Sequence, residues 1–184
     1  MTGQYLKGNV NDMKLLLAIC VITLSGCTGL PDGVEPVKGF EIERYLGKWY
    51  EIARLDHSFE RGLENVTAEY SLNNNGIRVV NTGYINKEKK WKQAEGKALF
   101  VRNKDEGYLK VSFFGPFYGS YVVFELDKES YHYAFVSGPD KSYLWLLSRT
   151  PTVSNQLIEK FVTTARLLGF DTDKLVFVKQ DKDE

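Results

Sequence analysis

The chain is poor in the residues that usually carry chemistry. It holds two cysteines and two histidines among 184 residues. That is too few thiols for a disulfide framework. A metal centre needs three or four convergent ligands, and His57 and His132 stand far apart in sequence, so no metal site is expected. No Gly-x-Ser-x-Gly elbow occurs, and Gly115 to Gly119 places a proline and two aromatics where phosphate-binding amides would be needed. Glu51 and Glu95 read as isolated acids on exposed strand faces. No catalytic residue is expected, and the protein reads as a non-enzyme without a cofactor. Charge excess is missing too, with 24 basic residues against 24 acidic ones, which argues against a nucleic-acid partner. No apolar run approaches the roughly 20 residues of a membrane-spanning helix. What is abundant is apolar (43%) and aromatic (14%) side chain, enough to bury a core in one domain preceded by a targeting segment.

The amino terminus supplies that segment. Met13-Lys14 precedes the short apolar run Leu15 to Ile22, the layout of a secretory signal. Residues Met1 to Asp12 are polar and long for a charged leader, so either Met13 is the true start or the leader is extended. Leu24-Ser25-Gly26-Cys27 resembles the lipobox of bacterial lipoproteins, which implies a signal peptide over 1–26 and an N-acyl diacylglyceryl cysteine at Cys27, with palmitate among its acyl groups. Cys20 then leaves with the signal, and no thiol remains for a disulfide or a nucleophile. A near-neutral domain has little pull toward anionic lipid, so attachment rests on the acyl chains, at ~0.8 kcal/mol per buried methylene. Residues 27–38, with Gly29, Pro31, Gly33 and Pro36, read as the lipidated end and a short flexible tether.

From Gly47 the sequence alternates short strands and turns. Candidate strands lie near Trp49–Leu55, Asn65–Leu72, Ile77–Ile85, Trp91–Val101, Tyr108–Phe114, Ser120–Leu126, Tyr131–Ser137 and Tyr143–Arg149. Asn73 to Gly76, Asn103 to Gly107 and Gly138-Pro139-Asp140 supply turn residues between them. The expected fold is all-β, an eight-stranded up-and-down antiparallel barrel spanning 39–180, able to hold side chains or one small ligand. After Pro151, Ser154 caps a helix with Leu157, Ile158, Phe161, Ala165 and Leu168 on one face and Gly169 as its stop, packed outside the barrel. Leu175 to Val178 reads as a short ninth strand, and 181–184 as a polar tail.

Gly47-Lys48-Trp49-Tyr50-Glu51-Ile52-Ala53-Arg54 resembles the first lipocalin signature, and Ser148-Arg149-Thr150-Pro151 the third, whose arginine crosses the tryptophan at the closed end of the barrel. Gly47, Trp49 and Arg149 are therefore structural residues, the stacked pair contributing ~0.5–2 kcal/mol. The second signature is weaker, with Asp127 to Tyr131 in place of the usual turn. Phe113 to Gly119 and Tyr143-Leu144-Trp145, together with the lipobox, resemble the bacterial outer-membrane lipoprotein lipocalins in particular.

Alternation along strands then selects the residues that face the interior. Val66, Ala68 and Tyr70 point inward and Thr67 and Glu69 outward. Ala94, Gly96, Ala98 and Phe100 oppose Gln93, Glu95 and Lys97, and Leu109, Val111 and Phe113 oppose Tyr108, Lys110 and Ser112. The small residues leave room for a ligand. Candidate ligand-binding residues are Ala68, Tyr70, Ala98, Phe100, Phe113, Tyr121 and Trp145, with binding and space-filling both open for Trp145. Phe59 and the loop from His57 to Gly62 form a gate over the open mouth, and Phe117 and Tyr118 an exposed aromatic turn.

The resemblance implies a carrier of a fatty acid or lysophospholipid. It would be anchored in the outer membrane by its acyl chains, with the barrel facing the periplasm, and would serve membrane maintenance under stress. Thr28, rather than the aspartate that retains such lipoproteins in the inner membrane, supports that location. Homodimerisation occurs among the family, and the sequence does not decide it. The alternative is a structural or adaptor lipoprotein whose barrel is filled by its own aromatics. A lysophospholipid hydrolase would require an activated nucleophile that the sequence does not supply.

Overall fold

The computed structural model describes residues 28–182. The expected signal peptide 1–26, Cys27 and the last two residues lie outside them. Nine strands follow a one-turn helix α1 (Ile42–Tyr45): β1 (Gly47–Leu55), β2 (Leu63–Asn73), β3 (Gly76–Ile85), β4 (Lys90–Phe100), β5 (Tyr108–Phe114), β6 (Phe117–Leu126), β7 (Tyr133–Ser137), β8 (Leu144–Ser148) and, after helix α2 (Asn155–Leu167), β9 (Leu175–Phe177). Each of β1 to β8 pairs antiparallel with its sequence neighbour, and β1 pairs with both β2 and β8, which closes an eight-stranded barrel. Closure removes the free edges that a strand-rich chain would otherwise expose. The strand expectations hold to within a few residues at their ends. Helix α1 was not anticipated, four residues being too few to show a helical period.

Two apolar clusters divide the core by strand parity. Trp49, Tyr70, Val79, Ala98, Leu109 and Leu147 lie inside the barrel. Ile52, Val122, Phe135, Leu144 and Leu146 face outward and meet α2 through Phe161 and Ala165, both fully buried. Ser154 caps α2, its side chain accepting from the Leu157 amide at 3.2 Å, and Gly169 at φ +81° ends it in the left-handed conformation that favours glycine.

Residues 28–38, expected as a flexible tether, are laid along the outside of the barrel. The Val37 amide donates to the Val123 carbonyl (2.9 Å), Lys38 pairs with Glu106, and Val34 is buried in the outer cluster. Farther along, Ser120 Oγ donates to the Gly29 carbonyl (2.6 Å) and Tyr108 to that of Thr28. A Cβ on Gly29 would meet the carbonyl of Pro139, in the β7–β8 turn, at 4.0 Å. The strap thus climbs from the closed end of the barrel toward its mouth.

The carboxyl end performs a second closure. Strands β1 and β2 pair only over Gly47–Tyr50 and Thr67–Tyr70, then diverge. Strand β9 pairs with Ala53–Leu55, and Gln180 Nε2 bridges the gap by donating to the carbonyls of Glu51 and Val66, both at 2.9 Å. Asn65 Oδ1 accepts from the amides of Asp181 and Lys182 at 2.7 and 2.8 Å, so these two residues of the expected polar tail are tied down. Thr67, which points outward as its parity requires, is consequently buried rather than solvated.

Candidate functional site

The closed end is built from the signature residues. Arg149 lies over the Trp49 ring at 3.9 Å and donates to three backbone carbonyls, those of Lys48 (2.8 Å), Arg44 (2.8 Å) and Tyr131 (3.3 Å). The Trp49 indole N–H donates to the Tyr45 carbonyl at 2.8 Å. Gly47 holds φ +88°, a conformation that a side chain would resist. Above this floor the hydroxyls of Tyr45, Tyr121 and Tyr70 form a chain, with that of Tyr121 2.7 Å from Tyr45 and 2.8 Å from Tyr70. Burial raises all three tyrosine pKa values, so the hydroxyls are neutral donors and acceptors.

All seven residues expected to line the cavity belong to the interior cluster. Tyr70 and Ala98 are buried within it. Ala68, Phe100, Phe113, Tyr121 and Trp145 pack against it while remaining partly accessible. One inference about space is corrected: a Cβ on Gly96 would stand 2.8 Å from the Phe113 ring, so the room left by that glycine is taken by Phe113.

The interior also holds charge, against the expectation for Glu51. This residue shares the inward parity of Trp49, is 4% exposed, and accepts from Arg54 Nη1 at 2.6 Å. An irregularity between Glu51 and Ala53 shifts the register, so that Ala53 joins the outer cluster while Arg54 turns inward opposite Trp145. Arg54 Nη2 donates to the carbonyls of Glu60 (2.9 Å) and Leu63 (3.2 Å), which fixes the ends of the β1–β2 loop. Glu60, 6% exposed, reaches back to accept from the Trp145 indole N–H at 3.1 Å. Glu95 does lie on an exposed face, but it is paired with Arg78 at 2.6 Å.

Burial raises the pKa of both interior acids. At Glu51 the nearby Glu60 adds to the rise and Arg54 opposes it. At Glu60 the Trp145 hydrogen bond and Arg54 oppose it. His57 sits against the same carboxylate, Nε2 3.4 Å from Glu60 Oε2, and burial, reinforced by Arg54, lowers its pKa to about 4. Asn81, in register with Ala68 and Ala94, adds a buried oxygen with no hydrogen-bond partner, as is also the case for Arg54 Nε. The interior is therefore mixed. Strands β4 and β5 offer the apolar residues Ala98, Phe100, Leu109, Val111 and Phe113. Strands β1 to β3 add apolar Trp49, Tyr70 and Val79, and with the loop they also bring in Glu51, Arg54, Glu60 and Asn81.

The gate loop is anchored more firmly than its position at the mouth suggests. His57 is buried, its ring 4.1 Å from Phe59, 5.1 Å from Trp145 and 5.5 Å from Tyr143. Phe59 remains half exposed. At the tip of the β5–β6 hairpin, also at the mouth, Phe114 and Phe117 are 79% and 67% exposed. Sequence reasoning missed Arg54, Glu60, Asn81 and Tyr45. Parity from Trp49 would have placed Glu51 inside, but Arg54 depends on the register shift and Glu60 lies in a loop, which has no period.

The family described as Lipocalin-like domain matches residues 40–180. Outer membrane lipoprotein Blc of Vibrio cholerae is 60% identical over 167 residues, covering 90% of this chain and 98% of that protein. The protein of the same name from Escherichia coli K12 is 51% identical over 164 residues, covering 89% and 92%. Among solved structures, insecticyanin from the tobacco hornworm Manduca sexta superposes with a TM-score of 0.66 at 21% identity, covering 85% of this chain and 88% of that one, a likeness of fold alone.

Proposed function

This chain belongs to the lipocalin family, and from that premise we propose that it is a lipid-anchored outer-membrane protein whose barrel carries one fatty acid or lysophospholipid for membrane maintenance under stress. As a lipocalin it is a binding protein, not an enzyme. The observation that carries the ligand class is the mixed interior: an apolar lining together with charged groups beside the β1–β2 loop suits a molecule with one hydrocarbon tail and a polar group. An acyl chain of about 14 methylenes gains at most ~11 kcal/mol on leaving water, before ordering and association costs reduce it. The partial accessibility of Ala68, Phe100, Phe113, Tyr121 and Trp145 favours a carrier over a barrel filled by its own side chains.

The outer-membrane location is supported by the names of the Vibrio cholerae and Escherichia coli relatives, and the anchor by the lipobox ending at Cys27. Because the strap climbs toward the mouth, lipid on Cys27 would turn the opening to the leaflet that holds the anchor. A homodimer is the remaining partner in this reading, to be measured by sedimentation of the delipidated protein. Mass spectrometry of lipid extracted from natively purified protein, followed by titration of the delipidated protein with a fluorescent acyl ligand, tests the proposal. The expected result is a co-purifying single-tailed lipid and saturable binding weakened by Trp145→Ala with Phe113→Ala. Absence of binding, or binding indifferent to both substitutions, would overturn it.

A further inference from the structure

The β5–β6 hairpin ends in four exposed residues, Phe114-Gly115-Pro116-Phe117, and a Cβ on Gly115 would meet nothing within 4 Å, so the tip stands clear of the barrel. Two large rings held in water at one tip mark a surface that something apolar covers. Just behind the tip, Lys110 Nζ lies 5.0 Å and Lys97 Nζ 5.8 Å from the centroid of the Tyr118 ring. Among the described residues neither lysine has an acidic partner, and Glu95, on the same face as Lys97, is committed to Arg78. The adjoining β3–β4 turn adds Lys87 and Lys89, both exposed and likewise without an ion pair. The chain as a whole is neutral, but on these two hairpins cations outnumber acids. Apolar tip, aromatic collar and flanking cations follow the order of layers at a bilayer surface, from hydrocarbon to interface to phosphate. The strap begins at the same place. Ser120, three residues after Phe117, holds the Gly29 carbonyl at 2.6 Å, and Cys27 directly precedes Thr28 in sequence. Phe113, one residue before the tip, packs against the interior cluster, so the hairpin also joins the exposed rings to the cavity wall.

We propose that the β5–β6 hairpin is a second, noncovalent membrane anchor that docks on a bilayer surface bearing anionic phospholipid, with Phe114 and Phe117 sunk among the headgroups and Lys97 and Lys110 on lipid phosphates. The proposal rests on the outer-membrane reading above, in which Cys27 holds the domain at a leaflet. It adds what acyl chains on a strap do not supply: they tether the domain, while the hairpin fixes its orientation. A hydrocarbon tail leaving the bilayer then meets an apolar path past Phe113 into the barrel.

The test is flotation of the mature chain carrying Cys27→Ser, which removes the acyl anchor, with vesicles of phosphatidylethanolamine and phosphatidylglycerol or of phosphatidylcholine alone. The chain should float with the phosphatidylglycerol vesicles, more weakly as salt is added. Phe114→Ser with Phe117→Ser should lower the affinity by about tenfold or more. Lys97→Gln with Lys110→Gln should lower it by roughly tenfold on phosphatidylglycerol vesicles and leave phosphatidylcholine unaffected, each lysine near an anionic surface supplying about fivefold. Native near-UV dichroism shows that each variant is folded. No flotation of the Cys27→Ser chain, or flotation unchanged by the phenylalanine substitutions, would overturn the proposal. A dimer in sedimentation that the phenylalanine substitutions dissociate, with no flotation, would overturn it too and make the tip an interface between two copies. None of these results touches the covalent anchor, which the acylated chain reports separately by remaining on vesicles.

Discussion

Replacing Arg54 by methionine puts the buried cluster under direct strain. Arg54 is 2% exposed, and its guanidinium holds Glu51 Oε1 at 2.6 Å and the carbonyls of Glu60 and Leu63 at 2.9 and 3.2 Å. Methionine fills much of the volume and removes every donor, leaving an interior carboxylate and two carbonyls without their partner. Breaking a buried pair from one side costs about 3–5 kcal/mol, a large share of the ~5–15 kcal/mol that holds a domain folded. With a denaturant slope of about 2 kcal/mol per molar, urea unfolding should show the midpoint lowered by roughly 1.5–2.5 M. Adding Glu51→Leu removes the stranded carboxylate and should recover most of the loss, since replacing both members of a buried pair by apolar groups is often close to neutral.

The deficit should also depend on pH. Burial raises the Glu51 pKa above 4.5, with Glu60 adding to the rise and Arg54 opposing it. A carboxyl raised in the folded state contributes stability that is present below its unfolded pKa and lost as pH climbs through the folded one. With Arg54 gone that rise is larger, so the variant should lie closer to wild type at about pH 5 than at about pH 7.5. A midpoint shift below about 0.5 M, or a double variant no better than the single one, would refute the view that Arg54 neutralises the interior.

Two further outcomes are expected. The His57 pKa, lowered by burial first and Arg54 second to about 4 from 6.5, with Arg61 adding and Asp56 opposing, contributes stability that is present above 6.5 and lost as pH falls to about 4. Glu51 and Glu60, whose pKa values are raised, act with the opposite sign, so the measurement is the difference between wild type and His57→Gln in urea titrations. Wild type should lose up to ~3 kcal/mol more than the variant between about pH 7 and 4, and parallel curves would sink the assignment. If Cys27 carries the anchor, the mature chain has no other thiol, so Phe117→Cys at the mouth and Lys104→Cys at the closed end each accept one environment-sensitive label. In vesicles the label at 117 should shift to the blue and be quenched by nitroxide lipids while that at 104 should not; the reverse pattern would refute a mouth facing the membrane.

Much of the barrel was legible because its signals are local. Period-two alternation marked Ala68, Tyr70, Ala98, Phe100 and Phe113 as inward, and all lie in the interior cluster. Turn residues at Asn73 to Gly76 and Gly138-Pro139 marked where strands reverse, and Ser154 marked the start of α2. The charged half of the site was not legible in the same way. Arg54 occupies a position that strict alternation from Trp49 would send outward, and the register shift that reverses it arises from pairing with β8, about ninety residues away in sequence. Glu60 gains its role from an indole on that same strand.

Gly29, Pro31, Gly33 and Pro36 make residues 28–38 read as a tether, yet Tyr108, Ser120 and Val123 of two barrel strands hold that segment in place. Gln180, in a polar stretch with no pattern, bridges the opening between β1 and β2. By itself the sequence determined the strands, the turns, the capped helix and the inward-facing apolar set, because each depends on backbone preferences and side-chain alternation within a few residues. Only the tertiary structure decided where charge is buried, which way the strap runs and how the barrel is sealed. Those depend on partners brought together by closure of the sheet, and a buried Glu or Arg looks no different in sequence from a solvated one until its neighbours are known.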